Sequence, residues 1–251
     1  MIELLPWGWV VLSLAAVAVG LAKTAIPGGG ILPVALFATV LPARTSTAAL
    51  LLLLIVGDMF ALIAYRRHAH WPSLLRLAPA VLVGLLSGFA FLAIGDDAVV
   101  RRGIAVILLA MIAITLWRRW RQKRTHAATT ETDAHGLIAA SAYGGLAGFT
   151  TMVANAAGPV MSMYFLAMRT PVQVFLGTSA WFFAIVNLFK VPFLAGIGLF
   201  DGQVLLMDAV LVPLVVLGAF AGLWLARRME QKVFDAIVIA LTVLGAVYLL
   251  F

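Results

Sequence analysis

Lys23, Thr24 and the triplet Gly28, Gly29 and Gly30 sit in "GLAKTAIPGGGILPVALF", Gly20 to Phe37, between two strongly apolar stretches. An ammonium followed by bare backbone N–H groups at a helix start is the chemistry of an anion site. Glycines let the backbone approach a ligand closely, the helix dipole favours negative charge, and the lysine adds a full positive charge. A second stretch, "GLAGFTTMVANAAGPV", Gly145 to Val160, puts Asn155, Ala156, Ala157 and Gly158 in the equivalent place, with an amide where the first has a cation. Asp58 in "LLLLIVGDMFALIAY" and Asn187 and Lys190 in "WFFAIVNLFKVPF" are polar groups deep in apolar runs, and Thr178 and Ser179 add hydroxyls nearby. An ionisable residue at such a depth is a functional candidate. Asp58 suits either a buried partner for Lys23 or Lys190, or a proton carrier. The plainer alternatives are that the lysines snorkel to an interface, the hydroxyls bond their own helix and the glycines only permit tight packing.

The elements that must position these residues follow from composition. The chain of 251 residues is 64% hydrophobic and 11% charged, against about 25% charged in a soluble domain. Apolar runs near the roughly 20 residues needed to cross a bilayer recur from end to end. They do not alternate as the strands of a membrane barrel would. The expected fold class is an all-α polytopic membrane protein. Glu3 is the only charge before Lys23, so the first run reads as a retained span and not a signal peptide. The net charge of +7 comes from basic residues between the runs, which points to topology and not to nucleic acid. Cysteine is absent, and His68, His70, His126 and His135 lie in polar connections. No metal site, cofactor or catalytic constellation is expected, and the chain does not read as an enzyme.

Ten apolar segments can be drawn, at 5–22, 27–41, 45–65, 74–94, 102–118, 136–153, 156–168, 172–194, 203–226 and 233–250. The second and seventh are short, with clean runs of about 17 and 20 Å as helices against a hydrocarbon core of about 30 Å. They fall second in each half, and the Gly-Leu-Ala to Pro-Val stretches quoted above align around them with one gap. The reading is two repeats of five segments each, 1–118 and 136–251, joined by a polar linker at 119–135, each repeat containing a broken or re-entrant helix. Five is odd, so the second repeat is inverted. That arrangement puts the linker, Arg66, Arg67, Arg76, Arg169, Arg227, Arg228 and Lys232 on the cytoplasmic side, as the positive-inside rule prefers. Merging each short segment with a neighbour gives parallel halves and is the alternative.

The stretch from Gly20 to Gly84, with "GTSAWFFAIVNLFKVPF" from Gly177 to Phe193, resembles the TauE/SafE family, the sulfite exporter-like permeases. The resemblance covers essentially the whole chain. It implies a multi-pass permease of the bacterial inner membrane for small sulfur-containing anions: sulfite, thiosulfate or organosulfonates such as sulfoacetate. The expected mechanism is secondary export. The anion would be held by Lys23, Thr24, Gly28, Gly29, Gly30, Asn155, Thr178, Ser179, Asn187 and Lys190, and Asp58 would couple it to protons. No cofactor is implied, and the expected partners are the anion and the bilayer. The rivals are an uncoupled anion channel, a permease for another small anion, a metal-cation permease and an intramembrane enzyme. The last two have too few buried acids and no nucleophile–base pair.

Overall fold

The computed structural model describes residues 5–25, 30–124, 137–168 and 170–225. Among these residues there are nine α-helices and no strand. They are α1 (Pro6–Ala25), α2 (Ile31–Val40), α3 (Ala43–Tyr65), α4 (Trp71–Ile94), α5 (Asp97–Arg124), α6 (Leu137–Ala154), α7 (Gly158–Ala167), α8 (Val172–Gly196) and α9 (Gly202–Leu225). A single 3₁₀ turn, Arg66–His68, follows α3. Each of the first nine apolar runs has become a helix. The tenth, and the basic cluster before it, lie outside the described residues. Helix α5 continues to Arg124, into the stretch expected to be a polar linker.

Among the described residues five helices are long and apolar enough to cross a membrane: Pro6–Ala25, Ala43–His68, Trp71–Ile94, Gln173–Gly196 and Gly202–Leu225. Their outer faces carry exposed large apolar side chains such as Ile63, Val83, Leu188 and Leu206, which water would penalise and lipid accepts. The protein is a multi-pass membrane protein. Helices α2 and α7 have ten residues each, or about 15 Å, half of a hydrocarbon core. A proline follows each, Pro42 two residues past the end of α2 and Pro171 four past that of α7. Pro42 and Pro171 are the N-caps of α3 and α8 (φ −51°, ψ 140° and φ −56°, ψ 144°), and a proline disfavours helix in the residue before it.

Glycine sets the packing of the long helices. A β-carbon on Gly20 of α1 would lie 2.1 Å from the Val215 carbonyl oxygen of α9, and one on Gly84 of α4 would lie 2.1 Å from that of Gly145 of α6. These helix pairs touch backbone to backbone, as small residues permit in membranes. Further along, Gly222 meets Thr24 and Gly88 meets Met152, so each pair runs in the same direction. Helices α3 and α8 run oppositely. The N-terminal part of α8 meets the end of α3, where Gly177 abuts the Tyr65 carbonyl and Trp181 donates to the Arg66 carbonyl at 3.2 Å. Their middles meet through polar side chains.

Candidate functional site

Asp58 of α3 and Asn187 of α8 face each other where these helices meet, and Asn187 Nδ2 donates to Asp58 Oδ2 at 2.7 Å. Lys23 reaches in from the last turn of α1 and donates to Asp58 Oδ1 at 2.5 Å. Gly57 makes room for it: a β-carbon there would lie 2.9 Å from Lys23 Cγ. The Lys23 ammonium also sits 4.4 Å from the centre of the Phe183 ring, an attractive placement for a cation. Both Asp58 oxygens therefore have donors, and the carboxylate is fully buried. Of the two lysines open to Asp58 on sequence grounds, Lys23 is its ion-pair partner.

Lys190 lies one turn beyond Asn187 on α8 and is completely buried. Its ammonium nitrogen is 2.8 Å from the Thr151 carbonyl oxygen, 3.2 Å from Thr151 Oγ1 and 2.5 Å from Asn155 Oδ1. Asn155 follows the end of α6 in a left-handed conformation, φ 51°, the only non-glycine residue with positive φ among those described. Asparagine tolerates that region better than most residues. Its amide is engaged at both ends, accepting from Lys190 and donating through Nδ2 to the Thr47 carbonyl at 2.9 Å. Thr47 Oγ1 lies 3.0 Å from the Val153 carbonyl. The break between α6 and α7 is thereby tied to the first turns of α3.

These groups surround a cavity of about 660 Å³, mouth included. Its polar wall is Lys23, Asp58, Thr151, Asn155, Ser179 and Asn187; Val19, Leu54 and Phe183 are among the apolar lining. Two of the wall's polar atoms, Ser179 Oγ and Asn187 Oδ1, are buried with no hydrogen-bond partner among the described residues. Gly30, just before α2, and Gly158, the first residue of α7, also line it. The N-terminal ends of both short helices thus abut one space, and no side chain caps the first turn of α2. The lining from α3 runs from Leu54 to Tyr65 and from α8 it runs from Leu176 to Asn187, so the cavity lies toward the Arg66 end of α3. Toward the other end, Ser46, Thr47 and Leu50 are buried in packed protein.

Most of the residues expected at the site meet here. Lys23, Gly30, Asp58, Asn155, Ser179 and Asn187 line the cavity, and Lys190 stands one layer behind it, bonded to Thr151 and Asn155. Thr24 and Thr178 do not reach it. Thr24 Oγ1 is turned to the α1–α9 contact, within 2.9 Å of the Gly20 carbonyl and 3.0 Å of the Ala219 carbonyl. Thr178 Oγ1 donates to the Val174 carbonyl at 2.6 Å and accepts from the His70 backbone N–H at 2.9 Å, which fixes the turn after α3. Gly28 and Gly29 lie outside the described residues. Gly158, named with Asn155 in the second glycine-containing stretch, lines the cavity too, whereas Thr151, Phe183 and Tyr65 are cavity residues that sequence reasoning passed over. Helical spacing could have found these three: Thr151 is four before Asn155, Phe183 four before Asn187 and Tyr65 seven after Asp58. Among the described residues no cluster of histidine and acids could hold a metal ion.

No curated protein and no solved structure matches the chain. The family model described as sulfite exporter TauE/SafE matches residues 12–249. With nearly the whole length matched and a polar cavity enclosed by apolar helices, the chain belongs to the sulfite exporter TauE/SafE family, a family of membrane transporters and not of enzymes.

Proposed function

We propose that the protein is a proton-coupled secondary exporter of small sulfur-containing anions, such as sulfite or organosulfonates, in the bacterial inner membrane. The observation that carries this reading is the cavity wall. It joins Lys23, the Ser179 hydroxyl, which has no partner among the described residues, and the N-terminal ends of two short helices around one cavity. Backbone N–H groups at a helix start, a hydroxyl and an ammonium form a donor set suited to an oxyanion. The ionisable groups at hand for coupling are Asp58 and Lys190.

The same reading takes the chain as two inverted repeats, 1–118 and 136–251, with 119–135 as a cytoplasmic linker and the short helices as broken elements entering from opposite faces. Supporting it, "PAVLVGLLSG" in α4 and "PLVVLGAFAG" in α9 share a Pro-x-Val-x-x-Gly-x-x-x-Gly pattern, from Pro79 to Gly88 and Pro213 to Gly222. Each pattern packs on the first helix of the other half. Asp58 and Asn187 each stand 16 residues after their N-cap prolines (58 − 42 and 187 − 171) and touch each other. In this orientation Arg66, Arg67 and Arg76 are cytoplasmic, and the anion is loaded from the cytoplasm.

Thermal unfolding of the purified protein with sulfite, thiosulfate, sulfate and sulfoacetate tests the substrate class. A rise in Tm with sulfite, thiosulfate or sulfoacetate supports it. A rise only with an unrelated anion, or with none, overturns it.

A further inference from the structure

We infer that Lys190 is the proton-carrying group of this transporter, gaining a proton as the anion enters the cavity and losing it as the anion leaves. The inference rests on the transport reading above and names the residue that links the two ions.

The reasoning begins with charge balance. Lys23 and Asp58 form an ion pair of net charge zero. Both Asp58 oxygens already accept hydrogen bonds, from Lys23 and Asn187, so a proton added there would cancel the charge that Lys23 pairs with. Lys190 has no such partner. Its three contacts are a carbonyl, a hydroxyl and an amide oxygen, all neutral. Among the described residues the charged groups that face it are Lys23 from α1 and Asp58 from α3, and these already neutralise each other. Helices α6 and α7, on either side of Asn155, have only Tyr143 and Tyr164 as titratable side chains, and α4, which packs on α8 through Phe89 and Phe193, has only Arg76, 13 residues before that contact. An ammonium at this depth thus stands without a counter-charge, which is costly in an apolar interior.

An anion in the cavity supplies the missing charge. Thr151 and Asn155, the residues that hold Lys190, form part of the cavity wall, so the ammonium and the anion are separated by a single layer of side chains. The three acceptors suit either protonation state. An ammonium donates to all three, whereas a neutral amine donates to the two carbonyl oxygens and accepts from the Thr151 hydroxyl. The empty carrier with a neutral amine is balanced, and so is the loaded carrier with an ammonium and one anionic charge. Anion and proton then each favour binding of the other, and by linkage the coupling is reciprocal; the two cross together without net charge, so export follows the anion's own outward gradient and not the inward pull on protons.

The test is titration calorimetry on the purified full chain in buffers of differing ionisation heat, which counts protons taken up per anion bound. Thiosulfate and methanesulfonate serve as probes, because both remain fully ionised near neutral pH and any proton taken up belongs to the protein. Wild type is expected to take up close to one proton per anion at the alkaline end of pH 6–9, with affinity falling up to tenfold per pH unit there. Lys190→Gln should bind more weakly with no proton uptake. Lys190→Arg, a permanent cation, should bind without uptake and without pH dependence. Thr151→Val leaves Lys190 in place but alters its acceptors, so it should move the pH midpoint of uptake even if the lysine variants fail to fold. Wild-type binding without proton uptake, uptake that persists in Lys190→Gln, or an unmoved midpoint in Thr151→Val overturns the inference alone. Wild type that binds neither these probes nor sulfite brings down the transport reading with it.

Discussion

Lys23 and Lys190 approach one cavity from different helices, and the protein treats them differently. Lys23 meets a carboxylate and an aromatic face, and its side chain keeps 12% exposure. Lys190 is wholly buried among neutral oxygens. The first arrangement is complete without a ligand. The second stands beside a wall that lacks partners, since Ser179 Oγ and Asn187 Oδ1 have none among the described residues. The contrast separates a charge that holds α1 to α3 from one that a bound anion must balance. It also gives each amide its place: Asn187 serves the paired charge, and Asn155 serves the unpaired one.

The largest effect should come from breaking the complete pair. Asp58→Ala strands the Lys23 ammonium, and the loss of one partner of a buried pair costs about 3–5 kcal/mol. Folded yield and unfolding in detergent should fall sharply, and adding Lys23→Met should restore stability without restoring anion binding. If Asp58→Ala alone were as stable as wild type, the pair would not be structural. Lys190→Met leaves acceptors without donors but strands no charge, so about 1–3 kcal/mol is expected. A loss equal to that of Asp58→Ala would erase the distinction between the two lysines. Replacing Asn155 separates conformation from hydrogen bonding. Glycine and alanine both lose the Thr47 and Lys190 contacts, but only alanine is strained at φ 51°, so it should be less stable than glycine by about 1–2 kcal/mol. Equal stabilities would locate Asn155's contribution in its amide alone. Ser179→Ala is the smallest change. Its hydroxyl has no partner among the described residues, so stability should stay within about 0.5 kcal/mol of wild type. Anion affinity, read by thermal shift, should still fall about tenfold or more, as for a lost bond to a charged group.

Much of this was legible in the sequence, for identifiable reasons. The short helices announced themselves because glycine and proline bracket them, as the glycine triplet and Pro42 do around α2 and Gly158 and Pro171 do around α7. Lys23, Asp58, Asn187 and Lys190 stood out because charge and amides are rare at that depth. Which lysine pairs with Asp58 was not legible, because it depends on the rotation of α1 and α8 about their own axes. A helix that is apolar on every side carries no stripe to fix that rotation. For the same reason Thr24 and Thr178 were expected at the cavity but face neighbouring backbone, while Thr151 and Phe183 were passed over. The extension of α5 to Arg124 was hidden because its last turns are polar and interrupt the apolar run.

The central claim is that this cavity carries a sulfur-containing anion across the membrane by alternating access. Counterflow tests it most directly. Proteoliposomes loaded with unlabelled sulfite and diluted into a trace of labelled sulfite should accumulate label transiently above its equilibrium level, because a carrier exchanges one anion for another across its two faces. The overshoot should vanish in Lys23→Met/Asp58→Ala, which keeps the fold and loses the cavity's exposed cation. Label that only equilibrates, with no overshoot, would make the protein a channel. Label that enters no faster than into protein-free liposomes, with the same result for thiosulfate and sulfoacetate, would contradict the account outright.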